Sequence, residues 1–377
     1  MLPIAPAGDA APPPEPTEAR EAAVVFADSQ EVRVQPYGGG NIHETFLVTS
    51  DRRPPFILQR LNTAVFGRPQ LIMANLRVLT AHLESQQQEN TPAPDRRWQI
   101  PRIIPTPWGE DLFSHEQGSI WRALTFIPAA HTVDVVQDEG QAWEVGYALG
   151  RFHLAVSSLS PTALADTLPG FHVTPLYIQA YDAGRAAATA PPTPEVAFAQ
   201  EFINQRRRGV SILEDAKHRG ELPLRIIHGD PKVNNVLLDD ASGLAVGIID
   251  LDTVKPGLIH YDLGDCLRSV GNPWGEETSQ WQRVEFDLSR GRALLAGYLS
   301  QARAFLAPAD YDYIYDSLAL ITFELGLRFF TDYLAGNVYF RVRHPQQNLQ
   351  RALVQFHLAQ SIAAQERAIR AMIGALR

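Results

Sequence analysis

His228-Gly229-Asp230-Pro231-Lys232-Val233-Asn234-Asn235-Val236-Leu237-Leu238, followed after a turn by Ile248-Ile249-Asp250-Leu251-Asp252, is the stretch on which the reading of this chain depends. Residues 235–238 and 246–250 read as two short strands of a hairpin. An Asp is followed five positions later by an Asn leading into a strand, and a second Asp ends the next strand. Taken singly, each is ordinary turn chemistry. Taken together they are the parts that phosphoryl transfer from ATP requires. One carboxylate must orient the attacking hydroxyl and accept its proton, and a carboxylate with an amide oxygen must hold Mg2+ against the phosphates.

Upstream of this hairpin the chain changes character. Residues 31–37 (EVRVQPY), 45–49 (TFLVT), 56–60 (FILQR) and 120–127 (IWRALTFI) read as strands, with a glycine turn between the first two. Ile72, Leu76, Leu79 and Leu83 recur at helical spacing. From about residue 139 the helical period dominates: Ala142, Val145, Leu149, Phe152 and Val156 mark one helix. Residues 195–217 read as another. Residues 278–306, 310–335 and 346–376 read as mostly helical. A small α+β domain therefore precedes a helix-rich one. Residues 1–22, rich in Ala, Pro and Glu, read as a disordered tail.

The order Asp230, Asn235, Asp250 resembles the catalytic loop and metal-binding aspartate of the protein-kinase-like superfamily, in its branch of aminoglycoside phosphotransferases and choline kinases. The resemblance implies that Asp230 is the catalytic base, that Asn235 and Asp250 ligate the metal, and that ATP and Mg2+ are the cofactors. His228 would brace the loop. The turn Gly38-Gly39-Gly40-Asn41 would bring backbone N–H groups to the phosphates; it is not a G-x-x-x-x-G-K-[ST] loop. In the third strand the place of the kinase lysine is held by Gln59, with Arg60 next. Alternation sends these two to opposite faces, so which of them meets phosphate stays open. Between Leu71 and Leu83 there is no acid to form the Lys–Glu pair of a regulated protein kinase.

Further patches are similar to bacterial N-acetylhexosamine 1-kinases: Tyr37 to Thr45, Phe56 to Asn62, Lys232, Asn234, Asp252 to Gly257, Tyr261 to Asp265, Glu324 to Leu334 and Val338 to Phe340. This implies a protein-kinase-like bilobal α+β fold. A small β-rich N-terminal lobe (23–128) would bind nucleotide, and a larger, mainly helical C-terminal lobe (129–377) would carry catalysis and the acceptor, with ATP between them. The acceptor would be the C1 hydroxyl of GlcNAc or GalNAc, and Asp252, Thr253, Arg328 and Tyr339 are the substrate-binding candidates. Asp252, two residues past Asp250, would share its side of a strand. Arg328 has apolar flanks and so needs a partner in a buried helix; Asp332, four residues on, is one possible partner. Other acceptors stay open (another sugar, choline or ethanolamine, an aminoglycoside), as does a catalytically silent kinase-fold binding protein.

Composition bounds the rest. The 377 residues carry 33 Lys plus Arg against 42 Asp plus Glu, a net charge of -9. An acidic chain without a basic run is a poor partner for nucleic acid or anionic membrane. The single cysteine, Cys266, excludes an intrachain disulfide. No stretch of 18 apolar residues is present to span a membrane. The start has neither the basic region nor the apolar core of a secretion signal, and a soluble cytoplasmic protein is the expectation.

Overall fold

The computed structural model describes residues 17–38, 42–89, 96–187 and 192–377. These fall into two compact units. One holds the residues up to Thr63 together with Ile103–Phe126, and the other holds Ala64–Arg102 and Ile127–Arg377.

The first unit is a helix laid on an antiparallel sheet. Helix α1 (Thr17–Ala27) precedes strands β1 (Val32–Pro36), β2 (Glu44–Ser50), β3 (Phe56–Arg60), β4 (Ile103–Ile104), β5 (Phe113–Ser114) and β6 (Ile120–Thr125). The strand order is β1-β2-β3-β6-β4, with β5 also on β6. Alternation decides the faces. Phe46, Val48, Phe56, Leu58, Trp121 and Ala123 point to one side and bury against Ala19, Ala22, Ala23 and Phe26 of α1. Residues 17–22, expected to belong to a tail, instead begin a helix with an apolar stripe; residues 1–16 lie outside the described residues. Glu18 and Glu21 fasten this helix to the sheet by accepting from Ser119 Oγ (2.7 Å) and pairing with His115 Nε2 (2.6 Å).

The second unit is mainly helical: α2 (Pro69–Glu89), α3 (Glu139–Val156), α4 (Thr174–Ala187), α5 (Pro194–Arg206), α6 (Ile212–His218), α7 (Ile259–Val270), α8 (Leu288–Ala302), α9 (Pro308–Asp312), α10 (Ile314–Leu334), α11 (Gln347–Ala364) and α12 (Glu366–Leu376). Strands β7 (Ala130–His131), β9 (Val236–Asp239) and β10 (Ala245–Ile248) form one small sheet; β8 (Arg225–Ile227) and β11 (Lys255–Gly257) form another. Helix α2 packs in this unit rather than with the strands on either side of it in sequence. Its Asn75 exchanges two hydrogen bonds with the Ala165 backbone, at 2.8 and 2.9 Å. The single helix expected over 195–217 is broken by a 3-10 turn at Arg207–Gly209, and residues 278–287 hold only a 3-10 turn before α8 begins.

Aromatic packing of Tyr181, Phe202, Phe323, Phe330 and Phe356 fills the core between α4, α5, α10 and α11. Helices α3 and α8 cross at backbone contact: a Cβ on Gly146 would lie 1.9 Å from Leu294 O, so only glycine permits the crossing. Helix α7 is buried along nearly its whole length although it carries Asp262, Asp265 and Arg268. Such groups survive burial only when partnered: Asp262 is met by His153 and by the backbone of His228 and Gly229, while Arg268 pairs with Asp265 and with Glu276. Among the described residues, no helix is long and apolar enough to cross a membrane.

Candidate active site

The segment 228–235 is a turn fixed from below by one carboxylate. Asp262, 0% exposed, accepts from His228 N (2.7 Å), Gly229 N (2.8 Å) and His153 Nε2 (2.8 Å). Bonds from N–H groups to a charged acceptor are the strong kind, so two successive peptides are pinned before Asp230. His228 ties the loop to the strand that follows β9. Its Nδ1 accepts from Asp230 N (3.3 Å), which leaves Nε2 to donate to Ile249 O (2.9 Å).

Gly229 sits at φ +87, and a Cβ there would meet Thr253 O at 2.6 Å. Gly229→Ala is therefore expected to displace the loop and lower turnover about a hundredfold, the usual consequence of an ångström-scale misplacement of a catalytic group. Steady-state kinetics of ADP release would check this, and wild-type turnover would show that the turn tolerates the shift.

Asp230 is half-buried and pairs with Lys232 Nζ at 2.7 Å. Burial alone would push its carboxyl up, but Lys232, with help from His228 and Arg268, holds it below the ordinary carboxylate range. Burial works against the Lys232 ammonium too, and the charges of Asp230, Asp250 and Glu276 outweigh it and raise its pKa. Asn235 donates through Nδ2 to Asp230 O (2.7 Å), so Oδ1 is the side-chain atom left to meet a cation. The hairpin register brings the second aspartate alongside: Ile248 pairs with Val236, and Ile249 N donates to Asn235 O (2.9 Å). The next residue, Asp250, is exposed and adopts a left-handed backbone (φ 64), a conformation Asp tolerates better than most residues. An amide oxygen and a carboxylate side by side are hard donors of the type Mg2+ takes together with phosphate oxygens. Among the described residues, no group of three or more His, Cys, Asp and Glu side chains forms a metal-binding cluster.

The expectation for Asp252 is corrected in its reasoning. The strand ends at Ile248, and Leu251–Thr253 is a 3-10 turn, so strand alternation does not relate Asp252 to Asp250. Asp252 is buried. Thr253 donates its hydroxyl to His228 O (2.8 Å), so it props the loop.

On α10, Arg328 is boxed by aromatic rings. Its guanidinium carbon lies 4.9 Å from the Phe171 centroid, 5.3 Å from Tyr177 and 5.5 Å from Phe340. Among the described residues it has no hydrogen-bond or ion-pair partner. Burial opposes its charge, yet the surrounding Tyr177, Tyr339, Glu324 and Asp230 raise its pKa. Asp332 is not its partner, because that carboxylate accepts from the backbone N–H groups of Val338 (2.9 Å), Tyr339 (2.8 Å) and Phe340 (3.0 Å). Tyr339, 41% exposed, packs edge-on against Phe340.

In the first unit, Gly38 has φ +73, while Gly39, Gly40 and Asn41 lie outside the described residues. Gln59 and Arg60 part as alternation requires. Arg60 turns to the α1 side and pairs with Glu44 (3.4 Å) and Glu18 (3.9 Å). Gln59, on the other face, donates to Thr45 Oγ1 (3.1 Å) and accepts from Arg122 at 2.7 and 3.0 Å. Arg122 stands directly across from it on β6, a basic residue that sequence spacing did not single out.

Sheet, helical unit and pinned loop together are those of a protein-kinase-like phosphotransferase. More narrowly, the chain belongs to the phosphotransferase enzyme family, whose model matches residues 33–309. Solved structures share the fold at low identity. An aminoglycoside phosphotransferase from Alicyclobacillus acidocaldarius matches with a TM-score of 0.62 at 14% identity, over 98% of this chain and 99% of that one. A microcompartment-associated aminopropanol kinase matches at 0.61 and 17% identity, over 96% and 99%. A spectinomycin phosphotransferase in complex with ADP and spectinomycin matches at 0.53 and 14% identity, over 88% and 92%.

Proposed function

We propose that this chain transfers the γ-phosphoryl group of ATP to the anomeric hydroxyl of an N-acetylhexosamine, GlcNAc or GalNAc, giving the sugar 1-phosphate and ADP. Asp230 orients the C1 hydroxyl and takes its proton as the oxygen bonds to the γ-phosphorus and the bond to the β-phosphate oxygen breaks. A carboxylate held below its ordinary range is a weak base, so its main contribution is alignment, with the proton arriving late. Asn235 and Asp250 would hold Mg2+, which would supply neutralisation of phosphate charge. The glycine-rich sequence 38–41 and the Gln59–Arg122 pair serve the nucleotide; the ADP complex of the spectinomycin enzyme supports nucleotide use. The free, buried thiol of Cys266 and the need for ATP suit the cytoplasm.

Arg328 is the observation that carries the choice of acceptor. Aminopropanol and aminoglycosides bring ammonium groups. A guanidinium without a carboxylate partner, whose charge reaches Asp230, repels them. A neutral sugar instead offers hydroxyl and acetamido oxygens to the same donors, and its patches of resemblance to N-acetylhexosamine 1-kinases point the same way.

An ADP-release assay with Mg-ATP and a panel of N-acetylglucosamine, N-acetylgalactosamine, glucose, galactose, choline and kanamycin tests this reading. Turnover with the N-acetylhexosamines and an acid-labile product supports it. Turnover only with choline or kanamycin discards the acceptor and keeps the mechanism, and turnover with nothing favours a silent binding protein. Arg328→Met is expected to raise the acceptor KM about tenfold to a hundredfold, the scale of a lost charged hydrogen bond, with the ATP KM unchanged. An unchanged acceptor KM would remove Arg328 from the site.

A further inference from the structure

His172 belongs to no motif read from the sequence, and it sits at φ 65, an uncommon conformation that His adopts more readily than most side chains. Its ring is 4% exposed, stacked on Tyr261 at 5.4 Å and tilted over Phe171 at 4.0 Å. Nδ1 lies 2.9 Å from Glu324 Oε1, and Nε2 lies 2.8 Å from Gly229 O. A carboxylate and a peptide carbonyl are both acceptors, whereas a neutral imidazole has one N–H to give. With Glu324 ionised, both bonds are made only by the doubly protonated ring. Glu324 is itself 1% exposed, and its other oxygen accepts from Thr174 Oγ1 at 2.6 Å.

The Gly229 carbonyl belongs to the peptide that leads into Asp230. The N–H of that same peptide goes to His228 Nδ1 at 3.3 Å, a long bond. The peptide is thus gripped at both ends, and the stronger grip is the one from His172. We propose that His172 is a positioning residue held as an imidazolium, joining Glu324 of α10 to the Gly229 carbonyl so that Asp230 keeps its aim, and that loss of this proton sets the alkaline limit of turnover. The positioning part rests on the reading of Asp230 as the group that receives the acceptor's proton.

The charges around the ring agree. Glu324 meets it from α10, and one turn further on Arg328 lies over the neighbouring Phe171 ring. Asp265 and Tyr261 face it from α7. The Tyr177 hydroxyl of α4 meets its backbone, and Asp230 follows the loop glycine. Burial pulls the imidazole down, but Glu324 and then Asp265 overcome that and hold it above the usual histidine range. The sign follows. A raised folded pKa gives a contribution that is complete below the unfolded value, about 6.5, and is lost as pH rises through the folded one.

The test uses the full chain with 15N-labelled histidine and no ligand, with the resonances of residue 172 assigned by their absence from His172→Asn, a variant suited to the positive φ. At pH ~7.5, a full unit above an ordinary imidazole, the wild type should show a doubly protonated ring, and Glu324→Gln should return its midpoint to the ordinary range or below. In turnover, both variants should lower kcat about tenfold at unchanged ATP KM and lose the alkaline limb seen in the wild type. A neutral ring at pH ~7.5 in an active wild-type enzyme, or a folded Glu324→Gln with wild-type kcat and pH profile, overturns the proposal while leaving the function intact. Failure of every acceptor in the panel instead overturns the reading of Asp230 and the positioning with it. Should His172→Asn fail to fold, the near-isosteric Glu324→Gln carries both measurements.

Discussion

Asp230→Asn should lower kcat by about a hundredfold to ten-thousandfold, the range for loss of a positioned general base, while nucleotide affinity changes far less. The substitution keeps the size of the side chain and the bond from Asn235 Nδ2, which goes to the backbone oxygen of residue 230. It removes the carboxylate that Lys232 holds ionised. Lys232 stays among the charges of Asp250 and Glu276, so no isolated buried cation is created. The fold should therefore be kept, and the melting curve should overlay the wild type. The pH dependence has a definite sign. A folded pKa below the usual carboxylate value keeps the base ionised through the neutral range, and its charged form is lost only as pH falls through that depressed value. The acid limb of kcat, where Asp230 sets it, should thus lie below the ordinary carboxylate range. Single-turnover rates with the best acceptor, beside calorimetric nucleotide titration, measure both halves. Undiminished turnover in the Asn variant would remove Asp230 from the chemistry.

How much of this site shows in the sequence depends on how far apart the partners lie. Asp230, Asn235 and Asp250 belong to one turn and one hairpin, so their spacing carries the geometry. Strands β1, β2, β3 and β6 were readable because one face of each is buried and period-two patterning survives. Helix α1 was hidden by its setting. Its apolar stripe, Ala19, Ala22, Ala23 and Phe26, is small and follows a Pro-rich run that suggests a tail. Helix α7 was missed because Asp262, Asp265 and Arg268 look like loop residues until their partners are known. The strand-side argument for Asp252 fails because the strand stops two residues sooner than its apolar run suggests. His153, His172 and the rings around Arg328 come from distant segments, and a lone histidine or phenylalanine has no spacing to read.

Asp262→Asn should cost about 3–5 kcal/mol of stability, the range for removing one member of a buried charged network. The carboxylate has no solvent and three donors: two backbone N–H groups of the loop, and Nε2 of His153, whose other nitrogen meets Tyr298 OH at 3.1 Å. An amide presents one oxygen to these donors and turns an NH2 group toward another N–H. At least one donor is then stranded in a site that water does not reach. Ordinary domains hold only about 5–15 kcal/mol in reserve, so the variant should still fold but unfold at clearly lower urea. Its loop should also lose its anchor, and kcat should fall together with stability. That coupling separates the two aspartates. Asp230→Asn should lower turnover at an unchanged urea midpoint, as a residue of the chemistry would, and Asp262→Asn should move both, as a residue of the scaffold would. An Asp262→Asn midpoint equal to the wild type would mean that the loop is held mainly by His228 and Thr253, and that α7 is buried for packing alone.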